Sequence, residues 1–237
     1  MAEMPQQVLL RAQNLTKRFG GLAAVNDVSI DLVRDQIHAV IGPNGAGKST
    51  LTNLLSGDLP LTSGRIELGG EDITGWSMER ISRGGLGRSF QKTNVFLPLS
   101  VFENVRLASH FNLAQTKHAI ELAKLEQHTY TIASSMSHGE QRQLEIAMCL
   151  AGSPRVLLLD EPLAGMGTQE AERMIELLHG LKANHAILLV EHDMDAVFAL
   201  ADVLTVMVDG KVIATGTPAA IRADAKVQAA YLGEEHE

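Results

Sequence analysis

Ile37-His38-Ala39-Val40-Ile41-Gly42-Pro43-Asn44-Gly45-Ala46-Gly47-Lys48-Ser49-Thr50 decides the fold. Ile37 to Ile41 is apolar and largely β-branched, which reads as a short buried strand. A glycine-rich turn follows, and Lys48-Ser49-Thr50-Leu51 opens a helix. The spacing Gly42-x-x-x-x-Gly47-Lys48-Ser49 is that of a phosphate-binding loop. Glycines at 42, 45 and 47 tolerate backbone angles that a Cβ would forbid, so consecutive amides can turn inward around an anion. The helix adds unpaired N–H groups and the positive end of its dipole. Lys48 can then reach the β- and γ-phosphates, and the Ser49 hydroxyl can ligate Mg²⁺. These residues predict binding of a nucleoside triphosphate.

The composition surrounding this stretch narrows the class. At 237 residues, 45% of them hydrophobic, the chain suits one large α/β domain. Aromatics are only 4%, so Leu, Val, Ile and Ala must fill the core. A formal charge of -8 argues against nucleic acid as the main partner, because phosphate contacts need clustered Lys and Arg. It equally disfavours adhesion to an anionic lipid surface. The single cysteine, Cys149, lies in the apolar run Ile146–Leu150 and reads as a buried small hydrophobe. The start Met-Ala-Glu-Met-Pro lacks the pattern of a signal peptide, and runs such as Val156–Leu159 are far below a membrane span. The cytosol is therefore the expected compartment, with any membrane association made through a partner.

In chain order, residues 8–15 and 23–33 predict strands of an early antiparallel layer, separated by Phe19-Gly20-Gly21. The helix after the glycine loop should end at Gly57. Residues 63–68 and 86–90 predict further strands, and 77–83 a short helix. Residues 100–128 carry helical periodicity, which marks an inserted helical lobe at about 92–150 within a single domain of 1–237. After Ser137 the pattern alternates: helix to about Ala151, strand 155–159, helix 168–183, strand 186–190, helix 194–201, strand 203–208. Such alternation implies a mainly parallel sheet covered on both faces.

Ligands of a parallel sheet sit beyond the carboxyl ends of its strands. Ile37–Ile41 runs into the glycine loop, Val156–Leu159 ends in Asp160-Glu161-Pro162, and Ala186–Val190 ends in Glu191-His192-Asp193. Asp160 is the natural holder of the Mg²⁺ that Ser49 ligates. Glu161 could orient and polarise an attacking water, and His192 could hydrogen-bond the γ-phosphate and that water. Ser137-x-x-Glu140 is a capping box at a second glycine-bearing helix start. Its spacing allows either a well-made helix N-terminus or a head-to-tail dimer in which this end completes a partner's phosphate site.

Along nearly its whole length the chain resembles the ATP-binding cassette (ABC) ATPases. Gly42–Thr50 resembles Walker A, and Leu157–Pro162 resembles Walker B with Glu161 as catalytic glutamate. Gln91 stands at the Q-loop position, where the resemblance implies contact with Mg²⁺, water and the transmembrane partner. Met136-Ser137-His138-Gly139-Glu140 corresponds to the family signature, so Ser137 and Gly139 would contact the γ-phosphate held by the opposite subunit. His192 corresponds to the switch histidine, and Phe19 to the aromatic that stacks on adenine. The resemblance implies a P-loop NTPase core with an antiparallel β layer and a helical lobe, and ATP with Mg²⁺ as ligands. Implied partners are a second ABC ATPase, identical or related, and permease subunits at the cytoplasmic face of the inner membrane. A substrate-binding protein would act indirectly.

Gly87–Gln91, Val190–Met194 and the tail Ala229–Gly233 are most similar to the ATPases of high-affinity branched-chain amino acid importers. An exporter ATPase of the lipopolysaccharide type shares a similar tail, and a soluble non-transport cassette is the remaining alternative. Met136, His138 and Glu140 replace the commoner Leu, Gly and Gln of the signature. Gly167 stands where most members carry the D-loop Asp, and the lobe between Glu103 and Ser137 is shorter than in those importers.

Overall fold

The computed structural model describes residues 7–91 and 94–229. Residues 230–233 of the tail therefore lie outside the described residues, as do the first two of the expected lobe. The amino-terminal part contains β1 (Val8–Phe19), β2 (Leu22–Val33), β3 (Gln36–Ile41), α1 (Lys48–Leu55), β4 (Ser63–Leu68), β5 (Glu71–Asp72), α2 (Met78–Arg83) and β6 (Leu86–Arg88). A helical stretch follows with α3 (Val101–Ala108), α4 (Leu113–Leu122), two 3-10 turns and α5 (His138–Leu150). The remainder is β7 (Val156–Asp160), α6 (Thr168–Lys182), β8 (Ala186–Val190), α7 (Met194–Leu200), β9 (Val203–Val208), β10 (Lys211–Gly216), α8 (Pro218–Ala223) and α9 (Ala225–Val227).

Two sheets form. One is antiparallel, in the order β2-β1-β4-β5; the other has six strands in the order β10-β9-β3-β8-β7-β6. In the second, every neighbouring pair from β9 to β6 is parallel, and only β10 runs antiparallel, against β9. The strands of its middle are apolar on both faces, and the pleat sorts them. Val40, Leu158, Leu188 and Met207 point to one side, where they pack with Leu51 and Leu54 of α1 and with the antiparallel sheet. Ile37, Ile41, Leu157, Leu189 and Val206 point to the other, where α3 to α7 cover them. The helices between 101 and 150 share that second core rather than owning a separate one.

The expected elements form, with shifts at their ends that have local causes. β1 and β2 are longer than expected because only Gly20-Gly21 makes the turn and Phe19 pairs directly with Leu22. α1 closes at Ser56, with Gly57 at positive φ behind it. The helical run of 100–128 breaks at His110 and Phe111, both at positive φ, before Asn112 caps α4. β6 stops at Arg88, two residues early, although Ser89 N still donates to Leu158 O at 2.9 Å. β5, β10, α8 and α9 have no counterpart among the expected elements. Asp209-Gly210 joins β9 to β10 as a tight hairpin, a turn dipeptide that signals this geometry. Cys149 departs from the plain hydrophobe expected: it is only partly buried, and its Sγ donates to Arg88 O at 3.1 Å.

One buried polar chain joins the two sheets. His38 on β3 hydrogen-bonds the Asp31 carbonyl through Nδ1 at 3.2 Å and Thr205 Oγ1 through Nε2 at 2.8 Å, and Thr205 continues to Thr215. Burial pushes the imidazole pKa down from 6.5 to about 4. A depressed histidine pKa means the folded state prefers the neutral ring, whereas the unfolded chain takes the proton first as pH falls. The stabilisation is therefore complete above about pH 6.5 and is lost on the way down to about pH 4. In that window His38 should contribute a slope of up to about 1.4 kcal/mol per pH unit to unfolding free energy. Denaturant unfolding of the His38→Gln variant at stepped pH should show a shallower slope; an unchanged slope would mean that His38 is not the titrating group.

Candidate functional site

The glycine loop is shaped by its neighbours as much as by its own sequence. Gly42 has φ 152°, and a Cβ there would stand 2.0 Å from the Met207 carbonyl oxygen of β9. Gly47 has φ 99°, and a Cβ there would stand 2.3 Å from the Ala24 carbonyl oxygen of β2. Gly210 of the β9–β10 turn donates its N–H to Ala46 O at 3.0 Å, and its own carbonyl accepts from Asn26 N at 2.8 Å. Both sheets thus grip the loop, and the gap between these carbonyls admits only glycine. Lys48 opens α1 with its ammonium donating to Gly42 O at 2.5 Å and Pro43 O at 3.1 Å. Burial lowers its pKa, opposed by the negative charge of Glu161 and Asp160. Ser49, Asn44 and Gly45 are exposed along the mouth of the loop.

Sheet register brings the acidic residues to that mouth. Val40 of β3 pairs with Val190 of β8, and Val190 pairs with Asp160 of β7. At about 4.8 Å per strand, Asp160 lies about 10 Å across the sheet from Val40, at the same height. Asp160 is 4% exposed and its pKa is raised, first by burial and next by the adjacent Glu161. The positive charges of Arg88 and Lys48 oppose that rise. Glu161 has φ 49°, a left-handed backbone unusual for a residue with a side chain, and its N–H donates to Val190 O at 2.8 Å. That turn throws its carboxylate towards β8, where Oε1 is hydrogen-bonded directly to His192 Nε2. Glu161 and His192 therefore form one unit rather than two independent groups.

Gln91 arrives from the fifth parallel strand. Ser89 pairs β6 to β7, and its Oγ accepts the Asp160 N–H at 3.2 Å. Two residues on, Gln91 lies exposed at the same carboxyl edge. Phe19 sits at the tip of the β1–β2 hairpin with half its surface exposed, and Lys17 Nζ lies 5.2 Å from its ring centre.

Ser137 and Gly139 form a second centre. Ser137 caps α5, its Oγ accepting Glu140 N at 3.3 Å while its own N–H donates to Glu140 Oε2 at 2.8 Å. The Ser137 hydroxyl donates to Glu170 Oε1 of α6 at 2.8 Å. A Cβ on Gly139 would stand 2.8 Å from the Glu170 carboxyl carbon. These hydrogen bonds hold the Glu170 pKa below the usual carboxylate range. The anion at this helix start is thus the chain's own carboxylate, and the partners of Ser137 within the chain are Glu140 and Glu170, not the glycine loop.

Several supporting residues escaped the sequence analysis. Glu191 is buried, pushed to higher pKa by that burial, and braces the loop after Glu161 by accepting the Leu163 N–H at 2.8 Å. Arg88 reaches Asn53 and Ser56 of α1. Arg142 and Glu145 are buried together on α5. The available signal was a charged i, i+3 pair inside an otherwise apolar helix face.

Residues 25–164 match the ABC transporter family, and residues 211–237 match the branched-chain amino acid ATP-binding cassette transporter family. The chain is 37% identical to the high-affinity branched-chain amino acid transport ATP-binding protein BraF of Pseudomonas aeruginosa, over 95% of this chain and 98% of BraF. It is 38% identical to the corresponding protein LivG of Escherichia coli, over 96% of this chain and 99% of LivG. Among solved structures, the ADP conformation of an ATP-binding cassette of an ABC transporter superposes with a TM-score of 0.88 at 29% identity, covering 96% of this chain and all of that one. A family match over more than half of the chain, and relatives this similar along nearly its whole length, show that the chain belongs to the ABC transporter ATPases.

Proposed function

We propose that this chain is the ATP-hydrolysing subunit of an importer for branched-chain amino acids or a related small polar solute. The observation that carries the reading is the convergence of Lys48, Asp160, Glu161 and His192 on one carboxyl edge, supported by the names of its full-length relatives. The triphosphate of ATP lies in the amides of Gly42–Thr50, with Lys48 exchanging the loop carbonyls for phosphate oxygens. Phe19 offers its exposed face to the adenine.

Ser49 and Asp160 present a hydroxyl and a carboxylate, hard oxygen donors that suit Mg²⁺ alongside phosphate oxygens, and Gln91 approaches from the neighbouring strand end. Bound there, Mg²⁺ would neutralise charge on the phosphate oxygens. Glu161 orients and polarises the attacking water. His192, bonded to Glu161, holds that carboxylate in place and senses the γ-phosphate.

Ser137, Gly139 and Glu140 serve the site of a second ABC ATPase subunit, identical or related. This role requires the Glu170 carboxylate to release the Ser137 hydroxyl to the incoming phosphate. Permease subunits dock beside Gln91, where a cleft of about 440 Å³ is lined by Arg88, Phe90, Asn94, Ser109 and His110. Among the described residues no helix is long and apolar enough to cross a membrane. Attachment to the cytoplasmic membrane face runs through those subunits, and a substrate-binding protein selects the solute.

Three substitutions test this assignment. Lys48→Ala should weaken ATP binding about tenfold or more in a nucleotide titration, the loss of a charged hydrogen-bonding group. Glu161→Gln should leave ATP binding intact and lower turnover by about 10²-fold or more; full turnover would remove Glu161 from its role. Ser137→Arg should abolish hydrolysis while ATP still binds, and an active variant would exclude the second-subunit contact.

A further inference from the structure

The segment Arg88–Gln91 is held by α5 through three side chains spaced i, i+3 and i+7. Cys149 Sγ donates to Arg88 O at 3.1 Å. Glu145 Oε1 accepts the Phe90 N–H at 3.2 Å. Arg142 donates from Nη1 to Phe90 O at 2.9 Å and from Nη2 to Gln91 O at 2.6 Å, while Nη1 also donates to Glu145 Oε2 at 2.9 Å. Both ionic side chains are buried, at 5% and 4% exposure. On the other side of the segment, Arg88 bonds to Asn53 and Ser56 of α1, the helix that begins at the glycine loop.

Stability alone does not call for such a pair. A buried ion pair recovers its desolvation cost poorly, and well-packed apolar side chains of similar volume do as well or better. α5 already has Leu144, Ile146, Ala147 and Leu150 for its packing. The pair does something apolar side chains cannot do. The carbonyls of Phe90 and Gln91 stand on either side of the Gln91 Cα, and Arg142 donates to both. Because each peptide is planar, anchoring both carbonyl oxygens narrows the φ and ψ range open to Gln91. One guanidinium fork, itself held by Glu145, therefore constrains the direction of the Gln91 Cα–Cβ bond.

We infer that Arg142 and Glu145 are positioning residues for Gln91: the clamp from α5 onto the Phe90 and Gln91 carbonyls points the Gln91 side chain at the nucleotide. The inference rests on the reading of Gln91 as a site residue. It also makes the helix that carries Ser137 the element that aims Gln91.

A double-mutant cycle with steady-state ATP hydrolysis by the full chain tests it. Arg142→Lys keeps the charge but replaces the fork with a compact ammonium that cannot span both carbonyls and Glu145. The expected result is a fall in kcat of about tenfold or more, because small misplacements of a positioned group are costly. KM for ATP should stay within about twofold, since the glycine loop is untouched. Adding Gln91→Ala should lower kcat no further, as expected for two residues acting through one another. If Arg142→Lys does not fold, the charge-free pair Arg142→Gln with Glu145→Gln takes its place in the same cycle. Unchanged kcat in a folded variant would overturn the clamp, as would equal losses of kcat with and without Gln91. If Gln91→Ala alone leaves kcat unchanged, the reading of Gln91 fails and the clamp has nothing to aim.

Discussion

The parallel register across β3, β8 and β7 is the constraint from which the rest of the site follows. Val40, Val190 and Asp160 stand in one row, so the three chain segments that follow them leave the sheet at one edge. Side chains alternate along a strand, so a slip of one residue would exchange the two cores and bury the wrong face of every strand. The apolar residues on both faces forbid that slip: Val40, Leu158 and Leu188 belong to one core, and Ile41, Leu159 and Leu189 to the other. Hydrophobic burial thereby fixes where Asp160 and Glu161 stand relative to Lys48. No contact between these polar groups has to do so.

Around that row the polar groups hold one another in place. Met207 and Ala24 carbonyls close on the glycine loop from β9 and β2, and the Gly210 N–H ties the loop to the β9–β10 turn. A loop gripped in this way presents its amides without further ordering, which is the condition for electrostatic preorganisation. Glu161 holds a left-handed backbone and is bonded to His192, while Glu191 braces the residues just beyond it. Burial distinguishes these groups from one another. Glu191 and Asp160 are shielded, with raised pKa values, and His192 stays at the surface.

Helix α5 connects two regions that are distant in sequence from the glycine loop. Its first turn carries Ser137 and Gly139 against the Glu170 carboxylate, and its buried face carries Arg142, Glu145 and Cys149 against Arg88–Gln91. Because a helix is stiff over 13 residues, displacement of one end displaces the other. The apolar residues of that face belong to the core under the parallel sheet, so the helix is also seated on the strands it serves.

Much of this is legible in the sequence. The strand–glycine–helix spacing at Ile37–Thr50, the alternation after Ser137 and the polar strand ends at Asp160 and His192 are local patterns, and local patterns survive in a linear string. The capping box at Ser137 was legible for the same reason, and the family signatures extended the reading to Gln91 and Phe19. What the tertiary structure alone decided are encounters between segments far apart in the chain. These include Met207 and Ala24 closing on the loop, Glu170 on Ser137, Glu161 on His192, and Arg142 on the carbonyls of Phe90 and Gln91. Such contacts depend on strand order and helix seating, and those are set by the summed burial of two cores rather than by any residue pattern along the chain.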